Sequence, residues 1–142
     1  MNIFCWTDEL SSGNTMIDND HRHLIDIVNK LDAAMCTGRG KAALAQMMDE
    51  LITYTRSHFG REELLMKEID YSDYTAHKAE HDKLMAEVDA LQSDFQSGNI
   101  DLSYKTYLFL TSWLSHHILE EDKKLGAAAK AARERLTELQ RT

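Results

Sequence analysis

Proline is absent from this chain, and glycine is scarce, with six among 142 residues. Both residue types interrupt helices, so their shortage favours long helical segments joined by short turns. The longest apolar runs, such as residues 108–110, are far shorter than the roughly 20 residues that cross a bilayer. The first residues also lack a basic stretch followed by an apolar core. We therefore expect no membrane insertion and a cytoplasmic location.

Cysteine and positive charge are also limited. Cys5 and Cys36 are far apart in sequence and lack metal-binding or redox spacing, so reduced thiols are favoured over a structural disulfide. The net charge is −8; residues 123–142 hold six basic and two acidic residues, a balance of +4, which leaves −12 for residues 1–122. An acidic body argues against nucleic acid as a partner, because nucleic-acid binding needs a positive surface.

Apolar residues recur at steps of three and four along four long segments, which is the pattern of amphipathic helices. The first helix is predicted to begin at about Asp18, with Asp18 as its N-cap, and the second to cover residues 41–69. The third runs to Phe95, and the fourth begins near Asp101. Residues 1–17 show no sustained period and form an arm that Trp6 pins to the domain. Short connections force neighbouring helices to be antiparallel, so we predict an all-α, up-down-up-down four-helix bundle.

Histidine and carboxylate side chains occupy core-facing positions on all four helices. An unpaired buried polar group costs roughly 1–3 kcal/mol, and a small domain has only about 5–15 kcal/mol of stability, so these groups need a partner. Imidazole and carboxylate ligands without thiolates suit iron, manganese or zinc. The sequence therefore predicts a metal site in the core, whereas His23 and His116 lie off the core stripes. The core-facing residues are His21, His58, Glu62, His77, His81 and His117, the last followed by Glu120, Glu121 and Asp122.

Four segments combine these residues with flanking apolar positions. They are Trp6…Gly13…Ile17-Asp18-xx-His21-xx-Leu24, His58-Phe59-xx-Glu62-Glu63-xx-Met66, His77-xxx-His81 and Trp113-Leu114-x-His116-His117-Ile118-xxx-Asp122. Together they resemble the bacterial branch of the hemerythrin family over residues 1 to about 125. The resemblance implies two non-haem iron ions in an oxo- or hydroxo-bridged di-iron centre that binds dioxygen reversibly.

The resemblance also implies a role for each matched residue. His77, His81 and His117 would hold one iron, and His21 and His58 the other. Glu62 and Asp122 would bridge the pair, leaving an open position for dioxygen on the second iron. The positions that match the apolar oxygen pocket are Leu24, Phe59, Trp113, Leu114 and Ile118. Tyr71 or Tyr74 would supply a hydroxyl group nearby.

One spacing does not follow from regular helix geometry. Asp122 lies five residues after His117, which is about 140° away around an α-helix of 3.6 residues per turn. Glu121, four residues after His117, would share its face. A local π-type turn would bring Asp122 round. The resemblance favours Asp122, and Glu121 stays the alternative.

The C-terminal segment, residues 126–142, is predicted to form an extra helix. Gly126 is expected to end or bend the fourth helix before it. The narrow apolar seam suits a two-stranded coiled coil, which would give a homodimer through residues 125–139, but folding back on the bundle is an equal alternative. Because no stop signal precedes Thr142, we expect this helix to be a linker from the domain of residues 1–125 to an output domain outside this sequence. The seam residues are Leu125, Ala129, Ala132, Leu136 and Leu139.

The ligand set favours binding over catalysis. Di-iron oxygenases of this architecture use four carboxylates and two histidines, whereas five imidazoles and two carboxylates compensate the metal charge less. We therefore expect a non-enzymatic, oxygen-binding domain, and the resemblance implies that it is the sensory domain of a bacterial signalling protein of diguanylate cyclase or chemotaxis type. The alternatives are a stand-alone oxygen carrier or store, and an enzyme that handles nitric oxide, peroxide or iron for cluster repair. A metal-free interaction module would leave the inward histidines unexplained.

Overall fold

The computed structural model describes residues 5–38, 41–97, 109 and 112–141. A short 3-10 turn, Asp8–Leu10, precedes α1 (Thr15–Cys36), α2 (Lys41–Glu68) and α3 (Tyr74–Gln96). Residues 112–116 are helical and lead into a π-helical turn, His117–Asp122, which continues into α4 (Lys123–Arg141). The fold is the predicted all-α four-helix bundle, with no strand among the described residues. The expected start of the fourth helix near Asp101 lies outside them.

The core is built from the predicted helix stripes. Helix α1 packs against α2, and α2 packs against α3. On α1, Leu24 and Leu31 are fully buried and Val28 nearly so, as the steps of three and four require. The same helix stripes also contain the histidines, so the histidine side chains lie in the same interior. The bundle therefore brings polar groups from every helix to one buried region.

The start of α1 differs from the sequence-based expectation. The helix begins at Thr15, and its N-cap is Asn14, whose side-chain oxygen accepts a hydrogen bond from the backbone N–H of Ile17 at 3.0 Å. Asp18, the predicted cap, lies inside the first turn. Its carboxylate instead accepts hydrogen bonds from Ser11 and Ser12. The prediction was wrong because asparagine and aspartate are both good N-caps. Asn14 takes that role, and the Asp18 carboxylate is bound by the serines of the arm.

The arm lies on the bundle as expected. Trp6 packs against the main apolar cluster. The guanidinium carbon of Arg22 lies 4.6 Å from the centroid of the Trp6 ring. Cation–π contacts of this kind add modest stability at a partly exposed site. The arm is thus fixed at two points, by Trp6 and by the Asp18 carboxylate.

Helix α4 is a direct extension of the fourth bundle helix. Gly126, expected to end or bend that helix, lies inside α4 and is buried. Leu125 is also fully buried, whereas Leu136 and Leu139 are 58% and 71% exposed. The first turns of α4 therefore pack on the bundle, Leu136 borders a groove with Leu65 of α2, and Leu139 is exposed.

Two further sequence-based expectations concern membrane insertion and the two cysteines. Among the described residues, none of the helices is both long and apolar enough to cross a membrane. Cys5 and Cys36 are both exposed, and the two are not joined in a disulfide.

Candidate metal centre

Seven side chains from all parts of the bundle converge at one buried point. Ligand atoms of Glu62, His77, His81, His117 and Asp122 all lie within 4.8 Å of one another. A second group, formed by His21, His58, His117 and Asp122, meets the same criterion. The exposure of each of these residues is 1% or less. These are the seven ligand positions that the sequence predicts.

The spacing of the donor atoms fits neighbouring ligands of one ion. Nε2 of His117 lies 3.0 Å from Oε1 of Glu62 and 2.8 Å from Oδ2 of Asp122. Nε2 of His81 lies 3.2 Å from Oε1 of Glu62, and Nε2 of His77 lies 3.3 Å from Oδ1 of Asp122. Two donors each about 2.1 Å from an ion and at right angles are about 3 Å apart. The imidazoles and carboxylates therefore lie at distances from one another that ligands of one metal ion can have.

Both carboxylates lie between the two groups of histidines. Glu62 is 3.1 Å from His58 through Oε1 and 3.6 Å from His77 through Oε2. Asp122 is 2.5 Å from His21 through Oδ2 and 3.3 Å from His77 through Oδ1. Each carboxylate thus presents its oxygens to histidines of both groups, which is the placement that bridging two metal ions requires.

Several donor atoms in the cluster lie close to other donors but are not hydrogen-bonded to them. Nε2 of His77, Nε2 of His81, Oε2 of Glu62 and Oδ1 of Asp122 are buried and make no hydrogen bond. Unpaired buried polar atoms are rare in native proteins, because each one loses its hydration without compensation. A metal ion would satisfy all four at once, so the residues present fit a metal centre.

The pKa values of the metal-free cluster also fit a metal centre. Burial lowers the pKa of His117, but the charges of Asp122 and Glu62 outweigh it and raise the pKa to about 9. Burial likewise lowers the pKa of His77, but the neighbouring carboxylates of Asp122 and Glu62 raise it to about 9. Burial raises the pKa of Asp122, but the charge of His117 holds it well below its usual value. Protons therefore occupy the cluster when metal does not, and metal binding must release them.

The π-helical turn places Asp122 in the cluster. Residues 117–122 are wound as a π-helix, so residues five apart share a face more closely than in an α-helix. Asp122 is fully buried, whereas Glu121 is only half-buried. The predicted π-type turn is therefore present, and it brings in Asp122 rather than Glu121.

Asp20 is part of this region, and the sequence analysis missed it. Its Oδ2 accepts a hydrogen bond from Nδ1 of His58 at 2.8 Å. Arg61 donates two hydrogen bonds to the same carboxylate, at 2.9 and 2.8 Å, and the hydroxyl of Tyr54 donates a third at 2.9 Å. Burial raises the pKa of Asp20, but the hydrogen bonds from His58 and Arg61 hold it well below its usual value. The available signal was the spacing of Tyr54, His58 and Arg61, which share one face of α2.

Glu63 contacts His81 in the way that Asp20 contacts His58. Its Oε2 lies 3.0 Å from Nδ1 of His81, and its Oε1 lies 3.7 Å from Nζ of Lys78. Histidines that bind metals commonly donate their other ring N–H to a carboxylate, which fixes the ring orientation. Glu63 occurs in one of the four sequence segments, but its adjacency to Glu62 gave no indication of this partner.

Aromatic rings cover the cluster. Phe59 stacks on His81 with ring centroids 3.8 Å apart and planes 7° apart. Trp113 is parallel to His117, with centroids 5.7 Å apart. Leu24 and Leu114 are fully buried in the same apolar cluster as Phe59 and Trp113. Four of the five predicted pocket residues therefore lie together; the side chain of the fifth, Ile118, lies outside the described part of the chain.

The remaining histidines and tyrosines occupy outer positions. His23 is exposed and stacks on Tyr54 at 4.1 Å, and His116 is exposed too. Tyr71 is half-buried, with its ring centroid 6.3 Å from that of His77. Tyr74 packs with Tyr71 against the small apolar cluster at that end of the bundle. Tyr71 is therefore placed beside a predicted ligand.

Comparison with known proteins agrees with this geometry. A family model described as "Hemerythrin HHE cation binding domain" matches residues 12–129. Bacteriohemerythrin of Methylococcus capsulatus is 36% identical over 132 residues, covering 92% of this chain and 100% of that protein. Bacteriohemerythrin of Stenotrophomonas maltophilia is 36% identical over 131 residues, covering 92% of this chain and 84% of that protein. A crystal structure of wild-type hemerythrin matches with a TM-score of 0.85 at 35% identity, covering 89% of this chain and 98% of that one.

Proposed function

Because this chain belongs to the hemerythrin family, in its bacterial branch, and its cofactor is a pair of non-haem iron ions, we propose that it binds dioxygen reversibly. The observation that carries the proposal is the buried cluster of seven donors in which two carboxylates are shared. Iron supplies the redox change and the open ligand position that dioxygen binding needs. The protein residues hold the metals, orient the ligands and exclude water.

The proposed ligand assignment follows the two groups of donors. His77, His81 and His117 hold one iron, and His21 and His58 hold the other, with Glu62 and Asp122 between them. His117 belongs to both geometric groups, and the match to the hemerythrin family supports placing it with His77 and His81. Three imidazoles, two carboxylates and a shared oxygen fill six positions on the first iron. Two imidazoles, the second oxygen of each carboxylate and the shared oxygen would leave one position open on the second.

The apolar pocket restricts what can reach that position. Leu24, Phe59, Trp113 and Leu114 are nearly or fully buried, and we keep Ile118 as a fifth proposed member. An apolar lining slows proton entry and the loss of charged oxygen species, so it favours reversible binding over oxidation of the iron. Aromatic rings packed directly on His81 and His117 leave little room for a bulky substrate, which supports binding rather than catalysis.

We propose further that the domain is a sensor and that α4 carries its signal. Helix α4 follows Asp122 directly, so a change in the iron centre has a continuous path of backbone into the C-terminal segment. Leu136 and Leu139 are exposed, as a contact with a second chain or a fused output domain would require. Leu125 is buried in its own bundle, so a homodimer contact would use residues 129–139. A reducing compartment such as the cytoplasm suits the exposed Cys36 thiol.

The ligand assignment is tested by paired histidine substitutions. His77→Ala removes a proposed ligand, and His23→Ala removes an exposed histidine that stacks on Tyr54. We expect His77→Ala to lose half or more of its iron while His23→Ala keeps about two irons per chain. Equal iron contents in the two variants would reject the assignment.

The sensor proposal needs a different experiment. The domain is joined through α4 to an output domain of the proposed type, and the activity of that output domain is measured with the iron centre reduced and oxidised, and again with Asp122→Ala. We expect activity to differ between the two iron states and the difference to vanish with Asp122→Ala. Activity that is indifferent to iron state would leave an oxygen carrier or store as the function.

A further inference from the structure

The segment after His117 can be wound in two registers, and they place different residues in the metal centre. In the π-helical register Asp122 faces the histidines. In an α-helical register Glu121 would take that direction, because residues four apart share a face. Every later residue would also move by one position. Lys124 would replace Leu125 in its surroundings, and Leu125 would replace Gly126.

The surroundings of Leu125 select the π-helical register. Leu125 is fully buried and packs with Ile17 and Met66 in a small apolar cluster. Lys124 is exposed. A shift to the α-helical register would drive the ammonium group of Lys124 into that apolar cluster, and burying a charge among apolar side chains is highly unfavourable.

The surroundings of Gly126 select the same register by shape. A Cβ atom at position 126 would collide with the carbonyl oxygen of Ser12 and would lie 2.8 Å from the carbonyl carbon and the Cβ of Ser12. Real Cβ atoms do not approach backbone so closely. Only glycine fits beside Ser12, and the leucine that a register shift would bring there cannot fit at all.

Ser12 is held rigidly enough to impose this restriction. Asp18 Oδ1 accepts hydrogen bonds from the backbone N–H and the hydroxyl of Ser12, each at 2.8 Å. Asp18 Oδ2 accepts a third from the hydroxyl of Ser11 at 2.6 Å. Because Asp18 lies in the first turn of α1, the arm is tied to the helix that also carries His21.

We propose that Ser12, Asp18, Leu125 and Gly126 form a register lock that keeps the π-helical turn and so presents Asp122, rather than Glu121, to the metal centre. This inference rests on the proposed ligand role of Asp122. Ser12 and Gly126 are positioning residues, since they touch no ligand atom and act through the winding of residues 117–122. The lock pre-forms the carboxylate site before metal arrives, which saves the cost of winding the turn on binding.

The test compares two glycine substitutions in the full chain loaded with iron. Gly126→Ala disrupts the lock, whereas Gly60→Ala is a matched control, because a Cβ at Gly60 meets nothing within 4 Å. The rate of iron loss to an excess of chelator is followed for both. We expect Gly126→Ala to lose iron about tenfold faster than Gly60→Ala, or more, as for other changes that disturb the support of a ligand.

A second comparison separates a change of register from general loosening. Glu121→Gln alone is expected to leave iron retention unchanged, because Glu121 does not face the metals in the locked register. Combined with Gly126→Ala, it is expected to accelerate iron loss further, because Glu121 would replace Asp122 as the ligand once the lock is open, and an amide binds the metal more weakly than a carboxylate. An equal effect of Glu121→Gln in both backgrounds would overturn the lock.

Two more variants complete the design. Asp18→Asn releases the arm without a steric clash, so it carries the test if Gly126→Ala does not fold, and we expect the same faster loss of iron. If the folded lock variants retain iron as Gly60→Ala does, the lock is overturned. Asp122→Asn tests the ligand role separately: loss of iron by this variant would support the proposed ligand, and retention of both irons would reject it whatever the lock variants do.

Discussion

At the scale of single residues, the five histidines of the cluster differ in how they are supported. His58 and His81 each contact a carboxylate through Nδ1, from Asp20 and Glu63 respectively. Nδ1 of His21, His77 and His117 is buried and has no hydrogen-bond partner. The best-supported imidazole is His58, because Asp20 is itself held by Arg61 and Tyr54. Iron retention should therefore be especially sensitive to Asp20.

Asp20→Asn provides the corresponding prediction. The amide weakens both the hydrogen bond from His58 and the ion pair with Arg61, so His58 loses orientation and basicity. We expect iron affinity to fall by about 10- to 100-fold, the usual effect of such a change beside a metal ligand. Affinity is measured by competition with a chelator. Asp26→Asn, an exposed carboxylate on the same helix, is the control, and an equal effect of the two substitutions would contradict the role of Asp20.

Trp113→Ala tests the apolar covering of the metal centre. The indole lies parallel to His117 and excludes water from that side, so its removal should admit protons and speed oxidation of the reduced protein in air. We expect a faster oxidation rate with iron content unchanged, measured by stopped-flow absorbance. Trp6→Ala removes an indole from the arm and serves as the control. If both variants oxidise at the rate of the unmodified protein, the pocket lies elsewhere.

Residue-level prediction from sequence succeeded where local spacing carries the information. His77 and His81 are one helical turn apart, so their common direction follows from the helix alone. The pairing of Asp20 with His58 spans 38 residues and depends on how α1 is rotated against α2. The spacing of Tyr54, His58 and Arg61 marks one face of α2, but no local pattern specifies which residue of α1 lies opposite that face.

At the scale of elements, two helical glycines have opposite surroundings. Gly60 in α2 is exposed with open space around its Cβ direction, and Gly126 in α4 is buried against Ser12. The sequence analysis treated Gly126 as a break in the helix because glycine is a common terminator. The structure instead uses it for close approach between the arm and α4. Sequence alone cannot separate these uses, since the partner lies more than a hundred residues away.

The two glycines give a stability prediction of opposite sign. Gly60→Ala should stabilise the protein by about 0.5–1 kcal/mol, because alanine loses less backbone entropy in a helix. Gly126→Ala should destabilise it by about 1–3 kcal/mol, the usual cost of overpacking. Urea unfolding of the metal-free proteins measures both. A stabilising effect at position 126 would show that the arm does not constrain α4.

At the scale of the whole molecule, bound metal ions are expected to replace the protons that neutralise the buried carboxylates of the metal-free cluster. In the metal-free protein the pKa of His77 and of His117 is about 9, against 6.5 for the free side chain. A raised pKa stabilises the fold fully below about pH 6.5, and that contribution is lost as the pH rises through about 9. Metal binding follows the opposite trend, because it requires deprotonated imidazoles.

The difference in melting temperature between iron-loaded and metal-free protein should therefore grow from pH 6.5 to pH 9. Thermal unfolding of both forms, with unbound iron removed beforehand, measures it. A difference that stays constant or shrinks over this range would contradict the protonation of the metal-free cluster.

The most direct test of the account is the iron content of the purified protein together with its visible spectrum in air and after reduction with dithionite. The account predicts about two irons per chain and visible charge-transfer bands that bleach on reduction and return when air is readmitted. An iron content near one, zinc in place of iron after expression with ample iron, or a spectrum that does not respond to reduction and air would contradict it.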